Sequence, residues 1–164
     1  MTDSDWEILA QNALENFVFD IARKSFIHNK NWFYLDLIDS YLHATSIQNK
    51  NTELSFLGDV MAYRGYYNDS AKLYRQSGND NKAVTMYSDL RMFDQAQELL
   101  STSDSQDKMQ LTKRRADWIH NSKEPKVAAE MYLSAGDTIK AIEIIGQHGW
   151  VDMYVLTVVT IYQN

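Results

Sequence analysis

The 164-residue sequence has no cysteine, one proline and six glycines. Without cysteine there is no disulfide framework and no thiolate nucleophile, which fits a reducing compartment. With Pro125 as its single proline, the chain has little to interrupt a helix. Positive charge is also scarce. A net charge of −6 argues against a dominant role in binding nucleic-acid phosphates, which needs Lys and Arg to replace counterions. The same balance disfavours docking on anionic membranes. No apolar run approaches the roughly 20 residues that span a bilayer, and the best stretch, Tyr154 to Tyr162, is too short. The opening Met1-Thr2-Asp3-Ser4-Asp5 is acidic, unlike a signal or transit peptide. The expectation is a soluble, intracellular protein without a transmembrane segment or a nucleic-acid partner.

What is present is helical periodicity. Hydrophobic residues make up 45% of the chain, a globular rather than disordered content. Ser4 and Glu7 have capping-box spacing, followed by Trp6, Leu9, Ala13 and Phe17 on one helical face. Val18, Ile21, Ala22, Ser25 and Phe26 form a second face after a turn of two or three residues, which predicts an antiparallel pair. Asn31 is placed to cap a helix with Tyr34, Leu35, Ile38, Tyr41 and Leu42 inward, and Asn51 one with Leu54, Leu57 and Met61 inward. Gly78 before Asn79-Asp80, and Gly136 before Asp137, read as a helix end followed by a new cap. Pro125 suits a first helical turn. The whole predicts about ten or eleven short helices and no strand.

The helices repeat. Ala71, Tyr74, Gly78, Lys82 and Ala83 recur as Ala129, Tyr132, Gly136, Lys140 and Ala141, an ungapped offset of about two helix-hairpin units near the tetratricopeptide (TPR) period. Phe19-Asp20-Ile21-Ala22 and Phe93-Asp94-Gln95-Ala96 share F-D-x-A, with Tyr67-Asn68-Asp69-Ser70 a looser version. In each, a small residue lets helices approach while an aromatic plugs the turn. The predicted fold is all-α: an irregular TPR-like α-solenoid of antiparallel helix hairpins, in a right-handed superhelix, over residues 1–153. Residues 154–164, rich in β-branched side chains, read as a divergent apolar tail, a truncated repeat or an artefact. No hairpin buries its apolar face alone, so stacking is obligatory.

Catalytic signals are weak. His28, His43, His120 and His148 lack metal-ligand spacing, and His148 reads as a packing or capping residue. Asn79-Asp80-Asn81 lacks the glycine and distal glutamate of a calcium loop. Asp36 with Asp39, and Glu15 with Asp20, read as solvated faces. Neither a catalytic constellation nor a cofactor or metal site is expected. Lys113-Arg114-Arg115 is the one basic cluster, either a solvent-facing helix stretch or a surface for an acidic partner or lipid headgroup. Among the aromatics, Trp6 and Trp118 read as core filling. Trp32 and Phe33 are adjacent and cannot share one core, so one is expected to line a groove or meet a neighbouring segment, as interface anchors do.

The segment from Tyr74 to Met153 carries a resemblance, in the combination ADW, KEP, EMY, SAG, KAIEI and HGWVDM between Ala116 and Met153 and in YRQSGNDNKAVTMYSDLRMFDQAQELL from Tyr74. It resembles the WD-repeat, TPR-like subunit family of intraflagellar transport complex A named for a mass of one hundred and twenty-two kilodaltons. The likeness extends back to Asp5, weaker over Ile27 to Asn51. It implies WD-repeat propellers followed by a long solenoid of which this is the first part, with another amphipathic helix after Met153 where this sequence departs. It implies a non-catalytic scaffold of the cytoplasm, cilium and basal body, serving retrograde transport and the entry of membrane proteins into cilia. The implied partners are other complex A subunits and ciliary membrane-protein cargo or adaptors. Without the resemblance, the helical pattern equally suits a vesicle-coat adaptor or a peptide-binding TPR protein.

Overall fold

The computed structural model describes residues 2–44, 50–100 and 105–163, and these form eleven α-helices with no strand among them. In order they are α1 (Asp3–Glu15), α2 (Phe19–His28), α3 (Trp32–Ala44), α4 (Lys50–Tyr63), α5 (Tyr67–Gln76), α6 (Asp80–Asp89), α7 (Phe93–Leu99), α8 (Ser105–Asn121), α9 (Pro125–Ser134), α10 (Thr138–His148) and α11 (Val151–Gln163). They fall into two compact units, Met1–Asn79 and Asp80–Asn164. The all-α, TPR-like class predicted from the repeats is the one observed.

Eight of the chain reversals are built alike. After the last helical turn one residue adopts positive φ: Phe17, Lys30, Gly65, Gly78, Arg91, Lys123, Gly136 and Gly149. The N–H of the next residue then reaches back to a carbonyl five positions earlier, as Val18 does to Ala13, Met92 to Tyr87 and Asp137 to Tyr132, each at 2.8 Å. This satisfies carbonyls that the helix end leaves without partners. Within each unit it also turns the chain in three residues, so that helices joined by such a turn pack as hairpins and residues equidistant from the turn meet, as in α1 and α2. Trp6 stacks on His28 with ring centroids 4.7 Å apart, and Asn29 donates to Glu7 at 3.2 Å.

The helix after such a turn often starts without a side-chain cap. Val18, Tyr66, Met92 and Glu124 occupy the cap positions of α2, α5, α7 and α9 and make no capping bond. What fixes these starts is packing. Phe19, Tyr67 and Phe93 each open a helix, as the F-D-x-A pattern predicts, and Ala22, Ser70 and Ala96 three residues later are fully buried. Ser70 keeps its hydroxyl satisfied by donating to the Gly58 carbonyl at 2.8 Å.

The repeat seen in the sequence has a structural counterpart in both units. Tyr74 of α5 donates its buried hydroxyl to Asp59 of α4 at 2.7 Å, and Tyr132 of α9 donates to Asp117 of α8. Burial, then the adjoining carboxylate, raises both phenols above their ordinary range. Burial pushes Asp117 upward, but hydrogen bonds from Tyr132 and Lys140 outweigh it and hold the carboxyl below its ordinary range. Small residues bring the paired helices close enough for this clamp. A Cβ added to Gly58 would lie 2.7 Å from Cε1 of Tyr74, while the equivalent place in the second unit is held by the fully buried Ala116. Each unit also has a hydrophobic core. Leu14, Phe26, Ile38, Phe56 and Val60 centre the first unit; Ile119, Tyr132, Ile144 and Ile145 are central in the second.

Several expectations need correction. The capping box that opens α1 is Thr2 with Asp5, not Ser4 with Glu7: Thr2 N–H donates to Asp5 at 2.7 Å and Asp5 N–H to the Thr2 hydroxyl at 3.3 Å. Both pairs have the right spacing; only Thr2 has the extended backbone a cap requires. Asn51 lies inside the first turn of α4 and is not its cap. The buried face of α4 centres on Phe56 and Val60, with Leu54, Leu57 and Met61 half-buried. Val18, Ile21 and Leu42 are exposed, because Ala22, Phe26, Ile38 and Tyr41 already fill the first core. Trp118 does not fill the core; it lies 40% exposed, tilted against Phe93. Pro125 does open α9, and Asp137 does cap α10, accepting from Lys140 N–H. The apolar run after Met153 is part of α11, whose Val151, Val155, Leu156 and Val159 are exposed.

Three outcomes follow for urea and pH titrations of stability. Lys123→Gly relieves a non-glycine left-handed position and raises stability by about 1 kcal/mol, whereas Gly136→Ala lowers it by about the same. Gly58→Ala drives a methyl into the Tyr74 ring and costs about 1–3 kcal/mol. The raised phenols contribute stability that is fully present below pH ~10, the ordinary tyrosine range, and is lost as pH rises beyond it. Tyr132→Phe therefore flattens the alkaline loss, and it costs about 1 kcal/mol at neutral pH through the missing hydrogen bond.

Candidate interaction surfaces

Trp32 and Phe33 open α3 immediately after the left-handed turn at Lys30. Successive helical residues point about 100° apart, and the pair diverges accordingly. Trp32 is 68% exposed. Phe33 lies face to face with Tyr63 of α4, ring centroids 3.8 Å apart at 9°. Tyr63 meets Tyr34 edge-on, and Tyr34 stacks on Phe26 in the core. Phe33 is thus the outermost ring of an aromatic column rooted in the first unit. Burial raises the Tyr34 phenol, opposed by the Gln11 amide and by Arg64.

Beside this column a groove of about 630 Å³ runs between α1 and the end of α4. Glu7, Gln11 and Glu15 line one wall; Tyr63, Arg64 and Tyr66 line the other. Arg64 is ion-paired with Glu15. Glu7 accepts from the side-chain amides of Gln11 and Asn29, both at 3.2 Å.

The basic cluster of α8 does not form one patch. Lys113 pairs with Asp137 at 3.5 Å. Arg115 pairs with Asp94 at 3.2 Å and lies over the Phe93 ring, 5.9 Å from its centroid. Arg114 is exposed on a different side of the helix, sharing a shallow groove with Asp89 and Trp118. Helical rotation separates three consecutive cations, and carboxylates from α7 and the α10 cap neutralise two of them. Arg115 also borders a cleft of about 680 Å³ in the second unit, where Asp94 and Glu98 balance Lys108 and Arg115 over Leu111 and Met131.

Other candidates have structural partners. His148 has Nδ1 3.0 Å from the Ile144 carbonyl and stacks on Trp150. Among the described residues no group of three or more His, Asp or Glu side chains could hold a metal ion, and no helix is long and apolar enough to cross a membrane. Sequence reasoning missed Tyr63 and Tyr66. Their signal was the tyrosine on each side of Arg64-Gly65, where a glycine turn leaves neighbouring aromatics on the surface.

Comparison with known proteins covers almost the whole chain. A family model described as "IFT122, TPR domain" matches residues 1–161. Three relatives share the name intraflagellar transport protein 122 homolog. The one from Danio rerio is 51% identical over 155 residues, which are 94% of this chain and 13% of that protein. The one from Xenopus tropicalis is 47% identical over the same shares, and the one from Homo sapiens is 46% identical over 94% of this chain and 12% of its own length. The chain therefore spans about an eighth of the length of the curated relatives it matches.

The divergence of the two adjacent aromatics sets a stability contrast. Phe33→Ala removes a stacked ring and lowers unfolding free energy by about 1 kcal/mol. Trp32→Ala stays within about 0.5 kcal/mol of the parent. Equal losses in urea unfolding would contradict this assignment of the two rings.

Proposed function

The chain belongs to the IFT122 TPR-domain family, and from that membership we propose that it is a non-catalytic docking segment of an intraflagellar transport complex A subunit. In this reading it serves retrograde ciliary transport and the entry of membrane proteins into cilia. It works in the cytoplasm, the cilium and its basal body, contacting other complex A subunits and membrane-protein cargo or adaptors. The observation that carries the reading is the family match over residues 1–161 at about half identity to the named relatives. The chemistry of the surfaces agrees. Hairpins held by turn hydrogen bonds and tyrosine clamps offer fixed positions to a partner, and the exposed groups include aromatic rings such as Trp32 and Tyr66. Trp32, with Phe33 next to it in sequence, is the proposed anchor of the first unit; Arg114, with Lys113 and Arg115 at its flanks, is that of the second.

The test is affinity purification, from ciliated cells, of a tagged full-length protein carrying this segment. Other complex A subunits are expected in the eluate, and the double variant Trp32→Ala, Arg114→Glu is expected to reduce at least one of them by about tenfold, the effect of losing a hot-spot contact worth about 1.4 kcal/mol. Recovery of no complex A subunit with the parent protein overturns the transport reading. Undiminished recovery with the double variant removes these residues from the interface.

A further inference from the structure

We infer that the groove between α1 and the end of α4 holds a short, extended, basic segment of a partner protein. The inference rests on reading the chain as a binding module, but not on which particle it serves. Three observations point the same way.

The first is an acceptor without a donor. The Gln11 side chain donates its amide nitrogen to Glu7, while its carbonyl oxygen, sheltered from solvent, has no hydrogen-bond partner among the described residues. A buried acceptor left unsatisfied carries a desolvation cost that an incoming N–H relieves. The second is charge. Two carboxylates and one cation line the groove, and the cation, Arg64, is already paired with Glu15. The hydrogen bonds that Glu7 accepts among the described residues come from neutral amides, which leave its negative charge in place. An ammonium or guanidinium is the complement; an acidic segment meets repulsion along the α1 wall, where both carboxylates lie. The third is the apolar rim. Ile8, Tyr63 and Tyr66 are each about half exposed or more at the same groove, and tyrosine faces attract cations as well as aliphatic side chains.

The dimensions select an extended chain. Glu7 to Glu15 covers about 12 Å of α1, the reach of about four extended residues. In such a segment alternate side chains face alternate walls, which suits a basic residue toward Glu7 and an apolar one toward Tyr63 and Tyr66. A divalent cation fits poorly, because one of the two carboxylates is committed to Arg64. A second copy of this chain is disfavoured by its net charge of −6.

The probe is a fluorescein-labelled peptide of eight alternating lysines and leucines, titrated by anisotropy with the 164-residue chain in about 0.15 M salt. A counterpart with glutamate in place of lysine is run beside it. Saturable one-to-one binding of the lysine peptide is expected, with no binding of the glutamate peptide. Glu7→Lys is expected to weaken binding about tenfold or more, and Tyr66→Ala about fivefold. Glu130→Lys, the same charge change on the exposed surface of α9, is expected to change it less than about twofold. Circular dichroism checks that each variant folds, and Glu7→Gln replaces Glu7→Lys if that variant does not. The inference is overturned if neither peptide saturates, if the glutamate peptide binds equally, if Glu130→Lys weakens binding as much as Glu7→Lys, or if sedimentation shows the groove occupied by a second copy. Such failure would leave the transport reading intact, since co-purification of complex A subunits does not depend on this groove.

Discussion

A single hydrogen-bond pattern governs how this chain can be folded: an N–H two or three residues past a helix end, returned to a carbonyl in the last helical turn. The pattern forces the intervening residue into the left-handed region. It compresses the reversal into three residues and, within a unit, fixes which faces of the joined helices meet. Trp6 against His28, Phe26 against Tyr34 and Tyr132 against Asp117 are all consequences of where these turns fall. Four of the eight left-handed residues are glycines, and the other four are Phe17, Lys30, Arg91 and Lys123. At those four, the satisfied carbonyls and packed helices behind the turn hold a conformation that the side chain itself disfavours.

Once the helices are paired, close approach decides the rest. Ala22, Ser70, Ala96 and Ala128 stand at the same place in four second helices, and none is exposed. Where the facing residue is also small, as at Gly58 and Ala116, there is room for a tyrosine to cross the interface and bind a carboxylate on the partner helix. The phenol fills volume like any aromatic and satisfies its hydroxyl at the far end, which is how a polar group becomes compatible with a tightly packed hairpin. The same geometry pushes larger apolar residues outward at hairpin edges, and some of them form the surfaces proposed for docking.

Much of this architecture was legible in the sequence. The recurrence of Tyr74 and Gly78 as Tyr132 and Gly136 located equivalent turns, F-D-x-A located helix starts, and Pro125 and Asp137 stood where helix-end chemistry puts them. Phe17, Lys30, Arg91 and Lys123 gave no such signal, because a residue search for left-handed turns finds glycine, whereas the turn is paid for by hydrogen bonds. The choice between Thr2 and Ser4 as a cap was open for a similar reason: both have an acid three residues on, and only backbone angles separate them. At the surface, the divergence of Trp32 and Phe33 follows from helical rotation. The neutralisation of Lys113 and Arg115 does not, since Asp137 and Asp94 lie more than twenty residues away in sequence and arrive only through hairpin packing.

The carbonyls that receive those turn hydrogen bonds all lie five residues upstream, and most helix partners are immediate neighbours along the chain. Topologies of this kind have low contact order. Their loops close at small entropic expense, and their hairpins can form before distant segments find one another. A long protein assembled from such pieces need not await completion of synthesis to begin folding: each hairpin supplies an apolar template for the next one to emerge, and an error in one turn stays near where it was made.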